Sequence, residues 1–277
     1  MTSGAATLDP VSRDFYLSAI RYLEQADVPF LVGGAYSYAR HTWLERHTKD
    51  FDIFVRPRDA RQALETLEKA RYSTELTFPH WLGKAFSGDN CIDVIFGSGN
   101  GVARVDDGWF EHAVPGDVFE HRVLLCPVEE TIWSKAFVME RERFDGGDIA
   151  HLIRGSGREM DWRRLIDRFG PYWRVLLSHL VLFGFVYPSE REIVPAWALE
   201  ELIGRMQSEI DIPEPSERIC RGTLLSRAQY LVDIERWGYV DARVAEGHMV
   251  QADVDLWTDA IAHEQPTPAT RPVYRSE

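Results

Sequence analysis

The segment Lys49–Val55, KDFDIFV, restricts this chain more than any other. Side chains two apart on a strand share a face, so Asp50 and Asp52 stand together beside an otherwise apolar strand, Phe51 to Val55. Two carboxylates so placed repel each other unless water, a cationic side chain or a cation compensates them. The segment is therefore either a solvated strand mouth or a metal site.

With 277 residues the chain has room for one large domain or two moderate ones. A net charge of −13 argues against an extensive basic nucleic-acid surface and leaves only a local basic groove open. Cys91, Cys126 and Cys220 lie far apart without metal-ligand spacing and read as free thiols of a reducing compartment. The opening MTSGAATLDP has no basic-then-apolar signal pattern. The most apolar run, VLLSHLVLFGFV at 175–186, is shorter than the ~20 residues of a membrane helix and reads as a core helix. The expectation is a soluble cytoplasmic protein that does not engage a membrane.

Local patterns give an amphipathic helix over VSRDFYLSAIRYLEQADVPF, a short strand in PFLVGG, and a helix starting directly after Gly33-Gly34. FDIFV, YSTELTF, LGKAFSG and CIDVIFG read as strands, with the helix RDARQALETLEKARY between the first two. From residue 127 helical patterns dominate, at 127–144, 146–154, 161–169, 171–187, 196–210 and 217–236, with DIPEPSE as a loop and a tail at the end. The expected fold class is α+β: a small mixed β-sheet flanked by helices, followed by a helical C-terminal half. The boundary is placed at residue 126, giving units 1–126 and 127–277.

Three features carry chemistry. Gly33-Gly34, between a strand and a helix, allows close backbone approach and offers a helix N-terminus to phosphate, although paired glycines also make ordinary tight turns. Asp50-x-Asp52 supplies the hard oxygen ligands that Mg²⁺ prefers, although the same pattern can be an exposed strand end. Asp93, in CIDVIF, is a carboxylate within an apolar strand, which requires compensation by Arg, Lys or a cation.

In that order, with Arg46-x-Thr48 just ahead of the aspartates, these features resemble the nucleotidyltransferase superfamily with the DNA polymerase β-like fold. The resemblance spans about residues 25–100. It continues more loosely through EETIWSKAFVMERERFDGGDIAHL, where the AbiEii-toxin-like branch also carries Lys, Arg and Asp on helices. It implies Asp50, Asp52 and Asp93 as catalytic metal ligands for Mg²⁺, or Mn²⁺ in its place. It implies Gly33, Gly34, Arg46, Thr48 and Lys135 as nucleotide-binding residues. The implied reaction moves a nucleoside monophosphate from an NTP such as ATP to a hydroxyl of a small molecule, a protein side chain or a tRNA end. The alternative is a non-catalytic NTP-binding regulatory module of the same fold. The chain departs from the pattern at Ala35, where many members carry Ser or Thr, and Ser37 is the candidate substitute. Asp148 is read as pairing with a nearby arginine, Glu140–Phe144 as a solvated helix face in which Arg141 or Arg143 is the alternative phosphate or structural partner, and His80 and Trp81 as turn packing.

Overall fold

Residues 10–44 and 50–263 are described by the computed structural model. Helix α1 (Pro10–Gln25) buries Phe15, Tyr16, Ala19, Ile20 and Leu23, an apolar stripe at helical spacing. Strand β1 (Leu31–Val32) runs through Gly33 into α2 (Gly34–Thr42). Strand β2 (Asp50–Phe54) leads to α3 (Pro57–Lys69), where Pro57 in the first turn is already fixed near a helical φ. Strands β3 (Ser73–Phe78), β4 (Leu82–Ser87) and β5 (Asn90–Ile95) form an antiparallel meander. A short helix α4 (Asp107–Glu111) precedes the hairpin of β6 (Val114–Val118) and β7 (His121–Leu125).

These seven strands form one mixed sheet in the order β3-β4-β5-β2-β1-β7-β6. Strand β2 is parallel to β5 and antiparallel to β1, and β1 is parallel to β7. The sheet is larger than the sequence suggested, because the β6–β7 hairpin extends it past β1.

The helical part comprises α5 (Val128–Ala136), α6 (Gly146–Ser156), α7 (Trp162–Phe169), α8 (Trp173–Val186) and α9 (Ala196–Ser208). It ends in small elements: β8 (Ile219–Cys220), α10 (Leu231–Glu235), β9 (Val240–Asp241), α11 (Ala242–Ala245) and α12 (Gln251–His263).

Two predicted helices are overruled by tertiary contacts. The pattern over 127–144 predicts one helix, but α5 stops at Ala136. The chain beyond it is drawn onto the 225–227 segment. The Met139 amide donates to the Leu225 carbonyl at 3.1 Å, and the Glu140 carboxylate accepts from the Arg227 amide at 2.9 Å. Glu140–Phe144 is thus a bend, not a solvated helix face. The predicted helix 217–236 breaks up likewise. Ile219 and Cys220 pair with β9, and the backbone of Gly222 lies so close to the Tyr230 ring that a Cβ there would fall 2.2 Å from it.

Each face of the sheet has its own partner. Phe51 and Ile53 of β2 and Ile92 and Val94 of β5 are buried in one cluster with α1 and α3, where Tyr16 stacks on Phe51 at 4.9 Å between ring centroids. The opposite face carries Asp52 and Phe54, and Phe54 stacks on Trp109 at 5.2 Å. That side joins a second cluster containing Leu31, Tyr38, Trp109 and Cys126 together with residues of α5 to α9. This apolar cluster therefore crosses residue 126.

By length and composition alone, the helical run Trp162–Val186 would suffice to cross a membrane. Within it Gly170, at φ 45°, interrupts the helix, and two arginines of α7 are tied to buried acids. Glu130 is fully buried near the start of α5 and meets both Arg164 and Arg168, the latter at 2.9 Å. Arg164 also meets Glu129, and Arg168 holds Asp106 at 2.9 Å. Removing one member leaves the others desolvated and uncompensated. We predict that Glu130→Ala lowers unfolding free energy by about 3–5 kcal/mol in urea denaturation, the range for a broken buried ion pair. A loss below 1 kcal/mol would show the network to be dispensable.

Candidate active site

The site lies on the sheet face opposite α1 and α3. Parallel registration of β2 with β5 sets Asp52 opposite Asp93, and antiparallel registration of β4 with β5 sets Lys84 opposite Asp93. Register partners on adjacent strands present their side chains to the same face. The row across the sheet is therefore Lys84, Asp93, Asp52, with Gly33 beyond, whose amide donates to the Asp52 carbonyl at 3.0 Å. Asp50, two residues before Asp52, lies on the same face at the exposed strand start. Asp93 is not in the buried layer: Ile92 and Val94 take that layer, and Asp93 is half-buried on the open one.

Gly33 and Gly34 are required by this packing. Gly34 has φ 53°, and a Cβ on it would lie 1.7 Å from Asp52 Oδ2. A Cβ on Gly33 would lie 2.2 Å from the Phe54 ring. The backbone that starts α2 thus closes directly on the Asp52 carboxylate, leaving no room for a side chain.

Electrostatically the row is strained and partly compensated. Burial, then Asp93 and Asp50, push the Asp52 pKa up to about 6, while Lys135 and Lys84 oppose the rise. Lys84 Nζ holds Asp93 Oδ1 at 2.7 Å. Burial opposes the charge on Lys84, but the bond to Asp93 outweighs it and raises the lysine pKa. Cys91 shares this face, and burial followed by Asp93 pushes its thiol up to about 12. It is therefore a thiol at neutral pH.

A second cluster comes from α5 and α6. Lys135 Nζ bridges Asp145 at 3.1 Å and Asp148 at 3.0 Å, and Arg143 grips Asp145 with two bonds of 3.0 Å. Burial works against ionisation of Asp145, but Arg143 and Lys135 overcome it and hold its carboxyl below the usual range. The pKa of Arg143 is raised chiefly by Asp145, with a contribution from Asp52 that links the two clusters. The bend at 140–144 is what turns Arg143 back toward Asp145.

Set against the sequence expectations, the fold brings Gly33, Gly34, Asp50, Asp52 and Asp93 to one place, with Lys135 in electrostatic reach of Asp52. Arg46 and Thr48 lie outside the described residues. Ser37 cannot replace a phosphate-binding hydroxyl after the glycines. It is fully buried, and its hydroxyl donates to the Cys126 carbonyl at 3.0 Å. His80 and Trp81 are packing residues: His80 Nε2 meets the Gly99 carbonyl at 3.1 Å, and Trp81 sits against Phe78 and Trp257. Asp148 pairs with Lys135. Sequence reasoning missed Lys84 and Asp145. Their signals were a lone lysine in the strand LGKAFS, and an aspartate in the cap position before the helix GGDIAHL.

The donor set suits a hard divalent cation, being all carboxylate oxygen. Among the described residues, Lys84, Lys135 and Arg143 stand against the carboxylates of this row and its neighbouring cluster. Among the described residues no three His, Cys, Asp or Glu side chains close into a metal-holding group. The row therefore supplies carboxylate donors without closing a complete site, and oxygens of a bound nucleotide would add ligands.

No protein-family model and no curated protein matches the chain. Among solved structures, the antibiotic-resistance factor ANT(2'')-Ia in complex with adenylyl-2''-tobramycin is similar at 14% identity and a TM-score of 0.40, covering 64% of this chain and 99% of its own. JHP933 from Helicobacter pylori is similar at 13% identity and a TM-score of 0.37, covering 73% and 97%. The lincosamide antibiotic adenylyltransferase LnuA, lincomycin-bound, is similar at 14% identity and a TM-score of 0.36, covering 50% and 94%. At that level of likeness no residue of this site is matched to one of theirs.

Two outcomes follow from the geometry. A carboxyl whose folded pKa is raised binds its proton more tightly in the folded state, so stability is lost as pH rises from about 4 through 6. Asp52→Asn should therefore be more stable than wild type at pH 8 by about 1–3 kcal/mol and equal to it near pH 3. Urea denaturation at both pH values measures this, and an equal difference at both would refute the raised pKa of Asp52. Gly34→Ala should cost at least about 2 kcal/mol, from left-handed strain plus collision with Asp52. Thermal unfolding unchanged from wild type would contradict the close approach.

Proposed function

We propose that the chain is a nucleotidyltransferase that moves a nucleoside monophosphate from an NTP to an acceptor hydroxyl. The observation that carries this reading is the registration of Asp52 beside Asp93, with the Gly33-Gly34 backbone closed onto Asp52. Such a row places carboxylates beside a helix start whose first amides have no partners within the helix. A triphosphate held there would present its oxygens both to those amides and to the row.

Asp50, Asp52 and Asp93, together with oxygens of the bound triphosphate, would hold Mg²⁺, which when bound offsets phosphate charge and lowers the pKa of the acceptor hydroxyl. Gly33 and Gly34 admit the triphosphate close to the backbone. Lys135 offsets charge on the phosphates, and Asp93 receives the proton of the acceptor hydroxyl. The acceptor oxygen bonds to the α-phosphorus while the bond to the β-phosphate breaks, and pyrophosphate leaves. The residues act chiefly by positioning and electrostatics. The Lys135–Asp148 pair, 3.0 Å apart, supports the AbiEii-like branch, where helix-borne Lys and Asp are expected. A net charge of −13 favours a small molecule or a protein side chain over a tRNA end as acceptor.

One observation favours the alternative, a non-catalytic NTP-binding module: Asp93 is already engaged by Lys84. The two readings separate in one experiment. The protein is incubated with each α-labelled NTP, Mg²⁺ and cell extract, which is then divided into RNA, protein and small-molecule fractions. Transfer predicts label in one fraction with matching pyrophosphate release, and a drop of at least about a hundredfold in Asp52→Asn, the scale of losing a main electrostatic group. NTP binding without pyrophosphate would support the module, and full activity of Asp52→Asn would sink the transferase reading.

A further inference from the structure

We propose that Lys84 acts as a built-in competitor for the divalent cation, keeping the carboxylate row from holding the ion firmly until a nucleotide arrives. The inference rests on the reading above and adds a positioning residue to it.

Lys84 is fixed by the fold. It is the antiparallel register partner of Asp93, which is in turn the parallel register partner of Asp52. Its ammonium bonds Asp93 Oδ1 at 2.7 Å, with both side chains largely buried (26% and 18% exposed). It also lies in electrostatic reach of Asp50 and Asp52. The ammonium therefore engages one oxygen of Asp93 and would repel a divalent cation held by the row. Lys135 is differently placed, since its bonds go to Asp145 and Asp148 on the neighbouring cluster.

An arriving triphosphate changes this balance. It brings oxygen ligands for the ion and negative charge that an ammonium can pair with, so the competition for Asp93 eases. Lys84 thereby couples cation affinity to nucleotide. By thermodynamic reciprocity, the nucleotide also binds more tightly in the presence of the cation. A lysine serving only to neutralise Asp93 for folding would contribute to stability and leave cation affinity alone.

The test is a titration of the full chain with Mn²⁺, free ion being read by electron paramagnetic resonance. It is done alone and with α,β-methylene analogues of the four NTPs, on wild type, Lys84→Met, Lys84→Gln, Lys84→Arg and Asp52→Asn. Lys84→Met and Lys84→Gln should bind Mn²⁺ alone at least about tenfold more tightly than wild type, the scale of removing one unit charge about 6 Å from a divalent ion in a water-like dielectric. Lys84→Arg should stay near wild type, and the tenfold gap should narrow when an analogue is present. The two neutral variants guard against one that fails to fold, as checked by circular dichroism. If folded neutral variants match wild type in Mn²⁺ affinity while wild type binds the ion and Asp52→Asn does not, the role of Lys84 is overturned and the transferase reading stands. If wild type binds no Mn²⁺ with any analogue, both fall.

Discussion

The repulsion between Asp52 and Asp93 is the constraint around which this structure is organised. Neither carboxylate can leave the other, because parallel registration of β2 with β5 is fixed by the residues between them. Phe51, Ile53, Ile92 and Val94 are buried against α1 and α3, and a one-residue slip would turn those side chains out and the aspartates in. The hydrophobic face thus determines where the charged face puts its carboxylates. Burial of Asp52 against the glycine backbone is the larger cause of its raised pKa, and the neighbouring carboxylates add to it.

Compensation comes from two directions. Lys84 arrives along the sheet, by pairing of β4 with β5, and meets Asp93. Lys135 and Arg143 arrive from above the sheet and are themselves held by Asp145 and Asp148. Helix α5 brings Lys135 into place because its buried first turn is pinned through Glu129 and Glu130 to the arginines of α7. The helical part is therefore built into the site's electrostatics, in keeping with an apolar cluster that runs across residue 126. Part of the electrostatic cost of the carboxylate row is offset by groups far away in sequence.

How much of this was legible depended on the range of the interaction that decided each element. Strands β1 to β5 and helices α1 to α3, α6 and α9 follow local periodicity, and the structure keeps them close to their expected bounds. Where a longer contact intervened, local pattern failed. ERERF has good helical composition, yet the bonds of Met139 and Glu140 to residues 225–227 pull it into a bend. Ser37 had the right chemistry to bind phosphate, but helical rotation from Gly34 turns it into the core, onto the Cys126 carbonyl. The expected cation partner of Asp93 was legible as a need, but Lys84 was not identifiable as its source.

By itself, the sequence determined that two carboxylates share one strand face, that paired glycines precede a helix, and that a third carboxylate interrupts a later apolar strand. Each of these is a period-two or nearest-neighbour property, set by residues within a few positions of one another. Only the tertiary structure decided that β2 and β5 are neighbours in parallel register, that Lys84 answers Asp93, and that Lys135 is shared between Asp145 and Asp148. Strand order and ion pairing are settled by the burial of whole faces against distant helices. No local spacing encodes that burial, because it is a property of the assembled core.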